Sequence, residues 1–234
     1  TRIPGSLERT LRAIRWLRDR DVPVLIKAPL LAGLGDKARA VRDFAAEVGA
    51  QCRFDPTVVA RYDLDTSPLG LRVGESELVE FCVDPGFDAP VDPEGLREPD
   101  PDGPMCATGR RTALISSKGL VYPCSQRYPA AGSLREQSFQ EIWETSPLLM
   151  KLRNITAQDL DTCSGCSSFG TCGRCALNSL GEEGNFFGPN RWAGRIAEAR
   201  QQAFLQESGQ GETSAPQSPC TAKVGARLPS AAPR

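Results

Sequence analysis

The sequence predicts an α/β unit followed by a small cysteine-rich α+β module. Three observations carry this. Helix-like and strand-like stretches alternate at short intervals from residue 6 to residue 82. A Pro-, Asp- and Gly-rich stretch from Asp84 to Pro104 then breaks the pattern. Beyond it lie hairpin chemistry, short helical patterns and a dense group of cysteines.

Residues 6 to 20 predict an amphipathic helix, capped by Ser6, with Glu8 in its first turn and Leu7, Leu11, Ile14 and Leu17 at helical spacing. Val22 to Ile26 form a short apolar run, the pattern of a strand buried on both faces. A second helix starts between Gly33 and Asp36, places Val41, Phe44, Ala45 and Val48 on one face, and ends at Gly49. Residues 52 to 60 supply a further strand or pair of strands, and Ser76 to Cys82 a short helix. Helix, strand, helix, strand in this order argues for a parallel sheet. Two such units neither close a sheet nor cover both its faces.

After the Asp84–Pro104 linker, Arg111 to Ile115 and Leu120 to Tyr122 predict a hairpin across Ser116-Ser117-Lys118-Gly119, with Gly119 able to take a positive φ. Gly132 to Gln137 lead into a helix opened by a capping box, Ser138 with Glu141, and with Ile142 and Trp143 on its apolar side. A short helix from Pro147 to Leu152 follows, and a last one covers Arg191 to Gln206. From 208 to 234 the chain is Ser-, Gly-, Pro- and Ala-rich without an aromatic residue, a composition expected to be disordered.

Composition narrows the function classes. The charge is balanced, 28 basic against 29 acidic residues, so no basic excess points to nucleic acid. No apolar run reaches the ~18 residues of a membrane span, and no signal peptide is recognisable, which predicts a cytoplasmic protein. There are nine cysteines and no histidine. An odd cysteine count fits a disulfide framework poorly, and the lack of histidine removes mixed Cys/His zinc sites and Ser-His-Asp triads.

Four of the cysteines, Cys163, Cys166, Cys172 and Cys175, stand in the pattern Cys-x2-Cys-x5-Cys-x2-Cys. Thiolates two residues apart can grip one metal from a tight turn, and the intervening Gly and Ser residues let backbone N–H groups point at sulfur. Two more thiols, Cys106 and Cys124, bracket the hairpin.

Cys106, twelve residues, Gly119, four residues, Cys124, then Cys163, Cys166, Cys172 and Cys175 resembles the SPASM domain. That domain is the C-terminal auxiliary iron–sulfur module of radical S-adenosylmethionine (SAM) enzymes such as peptide maturases and anaerobic sulfatase activators. The segment from Gly132 to Trp143 resembles the stretch these domains carry between hairpin and cysteine cluster. The resemblance implies residues 1–83 as the C-terminal part of a partial (β/α) radical-SAM barrel, 84–104 as linker, 105–207 as SPASM domain and 208–234 as tail. It implies that Cys106, Cys124 and Cys175 help hold one auxiliary 4Fe-4S cluster and Cys163, Cys166 and Cys172 a second, each set one ligand short.

Cys82, Asp100, Asp102 and Cys220 are candidates for the missing ligands, each with an ordinary structural role as its alternative. The family's usual seventh cysteine falls where this chain has Ala193, and its last gap, Cys172 to Cys175, is more commonly three residues than two. The catalytic Cys-x3-Cys-x2-Cys motif does not occur in these residues and would lie upstream of Thr1. S-adenosylmethionine is therefore expected only with a full-length protein. The expected partners are a peptide or protein substrate and an electron donor such as ferredoxin or flavodoxin.

Lys27, Asp55 and Arg61 sit at or just beyond strands, where barrels place active-site residues, and have solvated roles as their alternative. Cys52, Trp143 and Trp192 are expected in cores. Two other classes compete: a zinc-binding structural or interaction module built on the four clustered cysteines, and a degenerate relative that only binds a peptide.

Overall fold

The computed structural model describes residues 3–61, 63–84, 100, 102–125, 129–160, 162, 163, 166 and 168–207. Most of the Asp84–Pro104 linker, the 208–234 tail and Cys220 lie outside them.

The arrangement is mixed α/β. Helix α1 (Ser6–Arg18) precedes strand β1 (Leu25–Pro29), helix α2 (Gly35–Glu47), strand β2 (Gln51–Asp55), a 3-10 turn (Ser67–Leu71) and helix α3 (Glu75–Val83). Strands β1 and β2 pair in parallel, Leu25 opposite Gln51 and Pro29 opposite Asp55, as the alternation of elements predicts. Gly49 has φ 64° and closes α2, which glycine does without the Cβ penalty of other residues.

Two details differ from the sequence reading. Gly5, not Ser6, stands at the N-cap of α1, and Ser6 is its first helical residue. Strand β1 begins at Leu25, three residues later than the apolar run, and is not buried on both faces: Val22 and Leu25 are exposed. Pro23 has no N–H to give a ladder, and Asp21 takes a left-handed turn (φ 55°), so Val22 and Val24 serve the approach to the strand.

The second part carries strands β3 (Leu114–Ile115), β4 (Leu120–Tyr122) and β5 (Gly132–Ser133) in one antiparallel sheet of order β3-β4-β5. The predicted turn forms with Gly119 at φ 82° and its N–H bonded to the Ser116 carbonyl at 2.9 Å. Strand β5 occupies the stretch read as a lead into a helix. It is glycine that fits there, since a Cβ on Gly132 would lie 2.8 Å from Ile142 Cγ1. Helix α4 (Phe139–Thr145) follows, with the Ser138 hydroxyl accepting from the Glu141 N–H at 3.1 Å. The Glu141 carboxylate takes a bond from the Gln137 side chain. Helices α5 (Pro147–Asn154), α6 (Ala176–Glu183) and α7 (Arg191–Glu207) complete the described chain, joined by a short 3-10 turn at Ala157–Asp159.

Two cores result. The first holds Leu30, Phe54, Val73, Leu78 and Phe81, and is completed by Trp192, Ile196 and Ala199 of α7, which packs along α3. The second holds Leu152, Ile155, Leu160, Cys163 and Leu177. Between them, Arg72 and Glu182 form an ion pair at 2.6 Å with side chains only 15% and 9% exposed. Arg72 also donates to the Val58 carbonyl at 2.8 Å and lies over the Trp192 ring at 4.9 Å. Removing one partner of such a pair strands a charge away from water. Arg72→Met is therefore expected to cost about 3–5 kcal/mol in urea unfolding, and Arg72→Met with Glu182→Leu to recover most of it.

Candidate iron–sulfur site

Six thiols reach the second part of the fold by different routes. Cys106 precedes a loop bent back on itself: its sulfur accepts the Thr108 N–H at 3.4 Å, and the Thr112 hydroxyl reaches the Pro123 carbonyl at 3.3 Å. Arg153 on α5 clamps this loop, donating to the Gly109 carbonyl and, at 2.6 Å, to the Trp143 carbonyl. Cys124 follows β4 after Pro123 and packs against the second core. Thus hairpin and clamp bring the thiols before β3 and after β4 to one end of the sheet.

Cys163, Cys166 and Cys172 lie in consecutive tight turns. The Cys166 N–H bonds to the Cys163 carbonyl at 3.1 Å, the Phe169 N–H to the Cys166 carbonyl at 3.0 Å, and the Cys172 N–H to the Phe169 carbonyl at 3.4 Å. Ser168 is buried, its hydroxyl donating to Gln201 of α7 at 3.1 Å. Gln201 in turn donates to the Thr171 hydroxyl. A Thr156–Asp159 capping box fixes the approach to this stretch, and the backbone and hydroxyl bonds from Thr156 hold the Asp159 carboxyl below its ordinary range.

Cys175 is the N-cap of α6. Burial pushes its thiol up from the ordinary value, opposed by the nearby backbone N–H groups of Asn178 and Leu177. The charges of Cys124 and Cys106 add to the rise. Those two neighbours are the thiols with which the resemblance groups Cys175, and Cys124 and Cys175 pack against the same core. Among the described residues no three Cys, Asp or Glu side chains are close enough together to hold one metal ion. The chemistry of the set suits iron–sulfur ligation: soft sulfur donors, amide N–H groups aimed at sulfur, and a shell of Leu152, Leu177, Phe186 and Phe187.

The other candidates are placed elsewhere. Cys82 packs against the first core. Asp100 and Asp102 are exposed; Asp100 accepts the Asp102 N–H and Asp102 accepts from Gln158 at 2.7 Å, which ties the segment before Cys106 to the turn before Cys163. Ala193 is buried in the first turn of α7, its N–H bonded to Asn190. Cys52 lies against the first core, with burial raising its thiol. Lys27 is exposed, Asp55 accepts the Thr57 N–H, and Arg61 lies 3.7 Å from Asp63. Trp192 is buried, whereas Trp143 is half-buried between Phe139 and Arg153.

Helix α6 and the Arg72–Glu182 pair are not among the elements the sequence predicts, although Leu177 and Leu180 stand at helical spacing ahead of Gly184.

The SPASM family, described as an iron–sulfur cluster-binding domain, matches residues 106–167, which contain Cys106, Cys124, Cys163 and Cys166. The chain is 26% identical over 212 residues to an AdoMet-dependent heme synthase of Methanosarcina barkeri, a match over 79% of this chain and 59% of that protein. It is 33% identical over 72 residues to the mycofactocin maturase MftC of Mycobacterium ulcerans, 29% of this chain and 19% of that protein. It is 32% identical over 72 residues to the same maturase of Mycolicibacterium smegmatis. The chain thus matches less than two thirds of the length of each of these relatives. Residues 106–167 thus match the iron–sulfur cluster-binding SPASM domain, as the cysteine spacing indicated.

Exposure sets the order in which these thiols meet a reagent. In the metal-free protein, maleimide is expected to modify the exposed Cys106 first, the half-buried Cys175, whose thiol burial pushes up, later, and the buried Cys163 last, as read by peptide mass spectrometry over a time course. Modification of Cys175 ahead of Cys106 would contradict this arrangement.

Proposed function

We propose that Cys106, Cys124 and Cys175 ligate one auxiliary 4Fe-4S cluster, and Cys163, Cys166 and Cys172 a second, in a radical SAM enzyme that modifies a peptide or protein. The observation that carries this reading is the family match over residues 106–167, which takes in Cys106, Cys124, Cys163 and Cys166, together with the packing of Cys124 and Cys175 against one core. When bound, such a cluster supplies one-electron exchange or an anchoring site for substrate. This chain's residues hold it, donate N–H bonds to its sulfurs and exclude water from it. S-adenosylmethionine, and an electron donor of the ferredoxin or flavodoxin kind, belong to the longer protein, which works in the cytoplasm. Among the described residues no helix is long and apolar enough to cross a membrane.

Residues 1–83 are read as part of a partial β/α barrel, 84–104 as linker, 105–207 as the SPASM domain and 208–234 as tail. Support for the barrel comes from the open side of β1. Among the described strands it pairs only with β2, while Leu7 and Trp16 of α1 and Leu25 of β1 remain 63%, 53% and 47% exposed. A further β/α unit on that edge would cover them and satisfy the open ladder.

The maturase matches favour a peptide substrate. A second reading, an enzyme of heme synthesis, is favoured by the wider match to the heme synthase, 79% of this chain against 29%.

Anaerobic reconstitution tests the cluster assignment. Iron and sulfide are expected in near-equal amounts with broad absorbance near ~400 nm. Cys106→Ala and Cys175→Ala should each lose the same part of the iron, and Cys163→Ala the remainder. Stoichiometric zinc without sulfide would overturn the reading in favour of a zinc module. The 234-residue chain alone is expected to form no 5′-deoxyadenosine, since it has no Cys-x3-Cys-x2-Cys motif.

A further inference from the structure

The hairpin that bears Cys106 and Cys124 carries charge of one sign. From Gly103 to Arg135 there are five basic residues and no acidic one, in a chain whose formal net charge is -1. The N–H groups of Arg110 and Arg111 both bond to the Ala107 carbonyl at 3.0 Å, in the turn where the Cys106 sulfur accepts the Thr108 N–H. Arg110 reaches across to the Arg153 carbonyl of α5. Lys151 of the same helix sets its ammonium over the rings of Phe186 and Phe187, which pack against the core that Cys124 and Cys175 also touch. At the hairpin tip Arg135 donates to the Lys118 carbonyl at 3.1 Å, which brings these two residues together.

Cys106, Arg110, Arg111, Lys118, Arg135 and Lys151 are all exposed. Among the described residues none of these cations forms an ion pair, whereas Arg15, Arg39, Arg42 and Arg61 of the α/β part each face a carboxylate. Unpaired like charges held close together repel, so the fold gains nothing from this arrangement. Between Arg111 and Lys118 along the hairpin, Ile115 is 52% exposed.

We propose that this surface docks an acidic one-electron carrier protein, with Cys106 marking the point where the electron enters. The inference rests on the reading of Cys106 as a cluster ligand and names the face at which the partner meets it. Three features choose this occupant. A strand advances about 3.3 Å per residue, so the hairpin holds Arg111 and Lys118 on the order of 15 Å apart, too wide for one small anion and within the width of a protein interface. An apolar residue flanked by cations suits the small, charge-steered contact that electron carriers make. Cys106 is open to water, whereas a site of substrate chemistry keeps water out. A nucleic acid fits less well. Next along the chain the exposed Glu136, Glu141 and Glu144 bring carboxylates that would repel a long polyanion. The step served is the passage of one electron: the carrier is oxidised, iron is reduced, and no bond is made or broken.

The test uses the full 234-residue chain, reconstituted and kept anaerobic, with an acidic flavodoxin as the probe. A carbodiimide joins a carboxylate directly to a lysine amine. It is expected to link flavodoxin to Lys118 and Lys151, and not to Lys27 or Lys37, which are also exposed. In calorimetric titration, binding should weaken steeply between about 20 and about 200 mM salt. Arg111 and Lys118 make no side-chain hydrogen bond among the described residues, so replacing them leaves the fold intact. Arg111→Glu with Lys118→Glu should weaken binding about tenfold at the lower salt and flatten the salt dependence. Reduction of the clusters by reduced flavodoxin should slow by the same factor. Arg9→Glu with Arg12→Glu on α1 makes the same change in net charge and should leave binding within about twofold.

Crosslinks at Lys27 or Lys37 instead, or equal weakening by both pairs of substitutions, would overturn the proposal. So would a short single-stranded oligonucleotide that binds through Arg111 and Lys118 while flavodoxin does not bind. Iron and sulfide are measured in every sample. Clusters without flavodoxin binding mean that the docking surface alone is wrong, whereas flavodoxin binding without clusters means that the underlying cluster reading is wrong.

Discussion

Cys175 lies largely out of water at the N-terminus of α6, with the Leu177 and Asn178 amides nearby. A helix N-terminus has unsatisfied N–H groups and a partial positive charge, so it is a natural mate for a sulfur that is to carry negative charge. What fixes α6 therefore fixes the site. Leu177 anchors the helix in the second core, and the Ser179 hydroxyl bonds back to the Cys175 carbonyl at 3.1 Å. Gly184, with φ 72°, ends it and turns the chain. The buried guanidinium of the preceding residue, Arg174, donates to the Phe186 and Gly188 carbonyls and holds the returning loop. At the far end of the helix the Arg72–Glu182 pair ties it to the α/β part of the chain.

Helix α7 makes that tie a continuous frame. Its Trp192 donates to the Pro56 carbonyl at 2.8 Å, just beyond the C-terminal end of β2, and Ile196 and Ala199 fill the first core. Further along the same helix Gln201 holds Ser168 and Thr171 of the cysteine-rich turns. One helix thus touches both the end of a parallel strand and the segment that presents Cys163, Cys166 and Cys172. The distance between the strand end and the thiols is set by packed side chains rather than by the linker that joins the two parts in sequence.

Local signals were legible in the sequence. Gly119 announced the hairpin turn, Gly49 the end of α2 and Ser138 the start of α4, because each meets a backbone demand that its neighbours alone define. Strand β5 was not legible: two residues, Gly132 and Ser133, carry no periodicity. Their place is set by the Ala131 N–H on the Val121 carbonyl and by the lack of a side chain against Ile142. The Arg72–Glu182 pair spans 110 residues of chain, a separation at which no window of sequence shows a pattern. For the thiols, spacing identified the set. Which of them face one another depends on where the hairpin and α6 meet, and that is a tertiary fact.

The surroundings of Cys106, Cys124 and Cys175 bear on the electron affinity of any group they hold. Burial among Leu152, Leu177, Phe186 and Phe187 disfavours added negative charge, because little water is near to solvate it. The N–H groups of Leu177, Asn178 and Thr108 act in the opposite sense, placing positive partial charge at sulfur. Lys151 adds a full charge close by: its ammonium lies 4.8 and 5.1 Å from the centres of the Phe186 and Phe187 rings, on the wall of the same core. The residues that fold this module are thus also those that balance its charge. A change at Leu177 or Phe186 would alter packing and reduction potential together, whereas a change at Lys151, whose side chain sits at the surface, would shift mainly the potential.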